Sequence, residues 1–197
     1  MNSDNQMSAS DDQVGQSAPR SLSLPFDKEE LASLRAGDAC VLTGPMYTLR
    51  DAGHIRLLAE LDEQGDDTLP YGLAGQAIFY AGPTPAAAGR PFGAIGPTTS
   101  SRMDFAAARL HEAGVAATIG KGVRSKEVKD ACVRTGSVYF VTVGGAAAYL
   151  AKCVTSSETL AYDDLGTEAL RRIEVQDFPV FVGVDTQGND VYDLAQR

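Results

Sequence analysis

Three stretches of the chain hold cations and hydroxyls at spacings suited to gripping a small anion. In Arg50-Asp51-Ala52-Gly53-His54, Arg50 and His54 are four apart at a helix start, so they share one helix face. An arginine in a first turn opposes the helix dipole; an anion held jointly by Arg50 and the helix N-terminus would remove that conflict. In GAIGPTTSSRMD (93–104) a Gly-Pro turn precedes Thr98, Thr99, Ser100 and Ser101, and then Arg102 opens a helix. Backbone N–H groups, hydroxyls and a planar guanidinium together can bind a carboxylate bidentately. In Ile119-Gly120-Lys121-Gly122 a lysine stands between two glycines, which permit unusual backbone angles and close ligand approach. Arg50, Arg102 and Lys121 can thus converge on something doubly anionic, with threonine hydroxyls beside it. A small dicarboxylate fits that description.

Each stretch also has a plainer reading. Arg50 can be a surface arginine paired with Asp51. Ser100 or Ser101 can cap the helix, with Asp104 supplying the early negative charge. One cap accounts for one hydroxyl, however, and four stand beside the turn. Lys121 can be a solvated loop lysine, and its surroundings lack the GxxxxGK[ST] spacing of a phosphate loop. A fourth Gly-marked site, Gly144-Gly145, reads as a close-packed helix start, since GxGxxG is missing. His111 falls in mid-helix and reads as a surface residue. No Ser-His-Asp order, HExxH or paired-carboxylate signature stands out.

The elements that must position these residues alternate between strand and helix. Asp27 with Glu30 makes a capping-box-like start to a short helix ending before Gly37. Strands are expected over 39–43, closed by Gly44-Pro45, and over 76–80, 92–95, 115–119 and 138–143. Helices are expected over 48–64, 101–112 and 126–134, with an Ala-rich one running through Cys153. Further strands are expected over 173–175 and 180–184, with a turn at Gly188-Asn189. The pattern is α/β without a repeat, with helices packed on a mostly buried sheet.

Composition narrows the function classes. The 197 residues suit one domain with a tail, and a hydrophobic fraction of 44% supplies a substantial core. A net charge of −9 argues against a nucleic-acid surface or an acidic-lipid surface, though not against a small anion. Residues 1–21 are rich in Ser, Asp, Asn and Gln and lack aromatics, so they read as a disordered tail before a domain over 22–197. No apolar stretch approaches the roughly 20 residues of a membrane span, and no secretory signal pattern opens the chain, so the cytoplasm is the expected location. Cys40, Cys132 and Cys153 are odd in number and widely spaced; a disulfide framework or a metal site within this chain is not expected.

Several motifs occur in order: RDxxH at 50–54, YAGP at 80–83, GPTTxxRMD at 96–104, GKGxRS at 120–125, GGxA at 144–147, DLGxEA at 164–169 and EVxDFP at 174–179. This set resembles the C-terminal domain of class I (iron–sulfur) fumarate hydratases. That domain also occurs as a separate β subunit in two-subunit fumarases and in L-tartrate dehydratase. The resemblance spans roughly residues 30–194. It implies a swivelling β/β/α domain, a mixed, partly closed sheet with helices around it. It also implies a [4Fe–4S] cluster held by cysteines of an α subunit rather than by this chain, in a heterotetramer of two α and two β subunits. Arg50, Thr99, Arg102 and His54 would bind substrate, Thr98 would be the base and Lys121 would stabilise charge. The implied reaction is reversible hydration of fumarate to (S)-malate. Tartrate or mesaconate hydro-lyase chemistry, or a non-catalytic dicarboxylate-binding module, are the alternatives.

Overall fold

The computed structural model describes residues 18–64, 68–86 and 89–196. Most of the expected polar tail, residues 1–17, lies outside the described residues. The fold begins two residues before Leu22, with strand β1 at Arg20–Ser23. After it come α1 (Lys28–Ser33), β2 (Ala39–Thr48), α2 (Asp51–Gln64) and β3 (Ala77–Phe79). The chain continues through α3 (Asp104–Glu112), β4 (Ala117–Gly120), α4 (Lys126–Thr135) and β5 (Val138–Val141). It ends with α5 (Ala147–Lys152), β6 (Val154–Ala161), β7 (Leu170–Val184) and α6 (Val191–Leu194). The predicted cap at Asp27 is present, its carboxylate accepting from the N–H groups of Glu29 and Glu30.

The seven strands form one mixed sheet that closes. Strands β2, β3, β4 and β5 run parallel to one another; β7 pairs antiparallel with β5 and also with β2, completing the ring. Strand β1 extends the sheet beside β2, and β6 beside β7. The sheet is therefore a small barrel with helices around it, more fully closed than the partly closed sheet expected. Closure is possible because β2 and β7 are long. Each uses one edge for the other and divides its second edge between two further partners.

Those two strands also account for the largest departures from the sequence reading. Gly44-Pro45 does not end β2 but sits inside it. Pro45, which has no N–H to give, falls between the end of β1 pairing at Thr43 and the start of β3 pairing at Tyr47. Leu42 faces Phe178 and Gly44 faces Val175, so a bulge interrupts the register there. Asp177, on the β7 side of that bulge, takes a left-handed φ of 51° and donates its N–H to Thr43 Oγ1 at 3.1 Å. The two expected strands at 173–175 and 180–184 are therefore one strand carrying a bulge. The expected strand at 92–95 is absent; that segment packs as an irregular loop, with Phe92 and Ile95 buried in the core.

Alternation along β3 explains how two layers form. Ala77 and Phe79 join the cluster inside the barrel with Leu42, Ile119 and Phe178. Ile78 and Tyr80 point the other way and pack with Leu57 and Leu61 of α2 and Leu110 of α3. Both faces of the strand are buried, as expected for parallel strands sheathed by helices.

Gly44 is required by its conformation and by its surroundings. Its φ is +125°, and a Cβ there would stand 2.6 Å from the carbonyl oxygen of Leu24. Gly44→Ala should therefore lose about 2 kcal/mol of stability or more, read as a fall in the urea midpoint. An unchanged midpoint would mean that the bulge can relax around a side chain.

Candidate active site

The carboxyl ends of the parallel strands carry the residues singled out in the sequence. Arg50 follows β2, Tyr80-Ala81-Gly82 follows β3, Lys121 follows β4 and Gly144 lies just beyond β5. In α/β folds, barrels and open sheets alike, that edge of the parallel strands is the usual place for ligands, since the loops there converge. The segment Pro97–Ser100 joins the same edge as a short extended piece. Thr98 N–H donates to Tyr80 C=O at 2.7 Å, Lys121 N–H to Thr98 C=O at 3.2 Å, and Ser100 N–H to Lys121 C=O at 2.8 Å. Thr99 and Lys121 thus form a parallel bridge, which places the threonines beside the lysine. A Cβ on Gly144 would lie 3.8 Å from Lys121 Cδ, so the glycine turn flanks the lysine stem.

Arg50 and the α2 N-terminus do share an anion, and it comes from within the chain. Glu168 Oε1 accepts from Arg50 Nε and Nη2 at 3.2 and 3.0 Å, while Oε2 accepts from Ala52 N–H at 2.7 Å. One carboxylate therefore neutralises the guanidinium and satisfies an end of the helix. Asp51 continues the chain of charges: its Oδ2 lies 3.4 Å from Arg50 Nε, and its Oδ1 pairs with Arg102 Nη2 at 2.7 Å. The plainer reading of Arg50 as a partner of Asp51 is realised, and Asp51 lies between Arg50 and Arg102. Arg102 remains the most open of the four, with 53% of its side chain exposed.

The serines do not cap the helix. Helix α3 starts at Asp104, after a 3-10 turn over Ser100–Met103, and has no side-chain cap bond. Ser100 is buried, with Oγ 2.8 Å from the Tyr139 hydroxyl, whereas Ser101 is exposed. Asp104 binds Arg124 Nε at 2.7 Å and accepts from Ser125 N–H at 2.8 Å. Arg124 has a wholly buried side chain whose Cζ lies 4.8 Å from the Tyr139 ring centre and 5.3 Å from that of Tyr80.

Both histidines are internal. His54 is fully buried, packs edge-on against Tyr80 with ring centres 5.3 Å apart, and among the described residues has no hydrogen-bond partner at either ring nitrogen. His111 is not at the surface as its mid-helix place suggested. Its Nδ1 lies 3.0 Å from Val115 C=O and its Nε2 3.4 Å from Thr118 Oγ1. Burial lowers both rings from 6.5 to about 4, so both are neutral at pH 7.

The cysteines do not gather. Cys40 lies in β2 and Cys153 behind α5, both against the main core, while Cys132 lies in α4 within a separate small cluster. Burial raises all three thiols, Cys40 to about 11, which disfavours the thiolate a metal needs. Among the described residues no three His, Cys, Asp or Glu side chains come together as a metal site. These residues do not fit an iron–sulfur cluster.

Sequence reasoning missed the supporting acids and the buried arginine. Asp51 was read only as a surface partner and Asp104 only as a helix charge, while Glu168 and Arg124 stood unremarked inside DLGxEA and GKGxRS. Their presence within those motifs was the available signal. Thr99, Arg102 and Lys121 are exposed on this face. A cleft of about 360 Å³, lined by Pro83, Gly166 and Thr167 among others, lies beside it, next to the Arg50–Glu168 pair.

The histidines set a pH dependence. Their folded values lie below the unfolded 6.5, so unfolding takes up protons between pH 6.5 and about 4. The associated stability is complete above pH 6.5 and is lost as the pH falls through that window. Urea midpoints measured in steps below neutrality should begin to fall there. A flat profile down to pH about 5 would show that the rings are accessible to protons in the folded state.

A family model described as Fumarase C-terminus matches residues 2–195. "Fumarate hydratase class I, anaerobic" of Escherichia coli K12 is 42% identical over 153 residues, covering 77% of this chain and 28% of the relative. "Fumarate hydratase 2" of Leishmania major is 39% identical over 175 residues, covering 87% of this chain and 30% of the relative. "L(+)-tartrate dehydratase subunit beta" of E. coli K12 is 34% identical over 175 residues, covering 86% of this chain and 85% of the relative. The chain thus spans less than a third of the fumarate hydratases and most of the tartrate dehydratase subunit. With an α/β barrel bearing GPTTxxRMD and GKGxRS side by side, the chain belongs to the Fumarase C-terminus family.

Proposed function

We propose that this chain is the β subunit of a two-subunit hydro-lyase that interconverts fumarate and (S)-malate. The observation that carries the reading is the meeting of Arg50 and Arg102 on one internal carboxylate, at the strand edge that also carries Thr98, Thr99 and Lys121. The relatives support it: fumarate hydratases match at 39–42% identity, and a protein named as a β subunit matches along 85% of its length. In the same reading the barrel is a swivelling β/β/α domain, and the protein is cytoplasmic. Among the described residues no helix is long and apolar enough to cross a membrane.

Each catalytic role follows from charge. Guanidinium groups carry five donors in a fixed fork, so Arg50 and Arg102 keep N–H groups for substrate carboxylates beyond those given to Glu168 and Asp51. Thr98 takes the proton from the malate carbon next to a carboxylate; the electron pair left behind forms the double bond as the neighbouring hydroxyl leaves as water, its proton supplied by an acid of the partner subunit. Negative charge grows on that carboxylate meanwhile, and the Lys121 ammonium stabilises it in place. Thr99 adds a hydrogen bond. A threonine hydroxyl is a poor base at pH 7, so nearby cations must favour its alkoxide or a carboxylate of the partner subunit must take its proton. His54 lies one helical turn from Arg50, buried edge-on against Tyr80, whose carbonyl holds Thr98, so in this reading it acts on substrate only through Tyr80.

Among the described residues no group of side chains fits a [4Fe–4S] cluster; in the proposed reading an α subunit holds it, in a heterotetramer of two α and two β subunits. That partner also supplies the second wall over the open face. A second reading, L(+)-tartrate dehydratase, is favoured by the near full-length match to that enzyme's β subunit.

The lone chain should turn over nothing. Combined anaerobically with its α subunit and a reconstituted cluster, it should convert fumarate to (S)-malate. Turnover of tartrate alone would select the second reading, and turnover by the lone chain would end the split-site idea. In the active pair, Thr98→Ala should lower kcat by roughly a hundredfold or more with little change in KM. A rise in KM alone would make Thr98 a binding residue.

A further inference from the structure

The threonine segment and the lysine loop touch through backbone bonds at the surface, and a second connection lies beneath them. Tyr139, on β5, is wholly buried. Its hydroxyl donates to Gly122 C=O at 2.8 Å and lies 2.8 Å from Ser100 Oγ, which is then the donor of that bond. Ser100 is the second residue after Thr98, and Gly122 follows Lys121. One phenol therefore ties the two segments together from below. Burial raises the Tyr139 hydroxyl, which keeps its proton on and preserves it as a donor.

The surroundings leave this tie little freedom. A Cβ on Gly120 would lie 2.1 Å from Ser100 Oγ, so the strand end and the serine are in close contact. Arg124 lies across the Tyr139 ring, and its ion pair with Asp104 links the same lysine loop to the helix that begins two residues after Arg102. A core phenylalanine at 139 would fill the same space without needing two partners. The hydroxyl is explained by what it joins.

We infer that Tyr139 is a positioning residue, whose hydroxyl, clamped between Ser100 and Gly122, sets the distance from Thr98 and Thr99 to Lys121. The inference rests on the roles proposed above for Thr98 and Lys121. Proton removal and charge stabilisation occur on adjacent atoms of one substrate, so their relative placement governs the rate more than it governs substrate binding.

Tyr139→Phe and Ser100→Ala remove the bond from opposite sides, and both are tested in the active pair. Each should lower kcat about 10- to 100-fold with KM changed less than about threefold, and the double variant should be no worse than the more impaired single one. In the same proteins, hydrogen exchange at the Ser100 and Lys121 amides should speed up at least about tenfold, while exchange in the β2–β7 ladder stays unchanged. Unchanged exchange at those two amides would overturn the tie, whatever the activity. Faster exchange with wild-type kcat would overturn its role in positioning. If the wild-type pair turns over no dicarboxylate, the functional reading fails instead, and the exchange result alone decides whether Tyr139 holds the segments together.

Discussion

The antiparallel pairing of β2 with β7 is the constraint on which the rest of the molecule depends. It joins residues 39–48 to residues 171–181. Bringing together segments so far apart in the chain carries a large entropic cost, which must be offset by burial on both faces of the long strands. Its register has chemical consequences. Thr48 faces Arg171, so the chain leaving β2 at Leu49-Arg50 runs directly beside the chain entering β7 at Glu168-Ala169. The bidentate contact between Arg50 and Glu168 follows from that alignment. A register slip would separate the pair and also turn every side chain of β2 to the opposite face.

Charge at the strand edge is organised before any ligand arrives. Glu168, Arg50, Asp51 and Arg102 alternate in sign and stand in sequence, leaving no net charge among the four. Such a chain fixes both guanidinium planes at modest stability gain, because the members are partly exposed and screened. Arg124 is the buried counterpart. Ion pairs of that kind add little net stability over a well-packed apolar group. What Arg124 and Asp104 do instead is connect two segments: the one bearing Arg102 and the one bearing Lys121.

The openness of this face fits its proposed use. Proton removal next to a carboxylate benefits from a dry, low-dielectric enclosure in which fixed charges act at close range. In the proposed reading the described surface provides one wall of such an enclosure, with Lys121 and Thr99 exposed on it. Enclosure by a second subunit is therefore part of the proposed mechanism.

By itself the sequence picked out the cation and hydroxyl motifs on which the proposed chemistry rests, and most of the local elements that carry them. Gly and Pro punctuation, the Asp27 cap and the helical periods before Gly114 and Gly136 are local properties, and α1, α3 and α4 follow them closely. The RDxxH, GPTTxxRMD and GKG motifs were visible for the same reason, since residue type and spacing need no partner. Tertiary structure alone decided what those residues meet. Gly44-Pro45 read as a strand end, because nothing local reveals that β7 carries a matching bulge at Asp177. His111 looked exposed, because its place in the helix does not reveal that the chain turns back to meet its ring at Val115 and Thr118. Glu168 lies 118 residues from Arg50 and Tyr139 lies 39 from Ser100; the β2–β7 pairing brings the first pair within hydrogen-bond distance and the β4–β5 pairing the second.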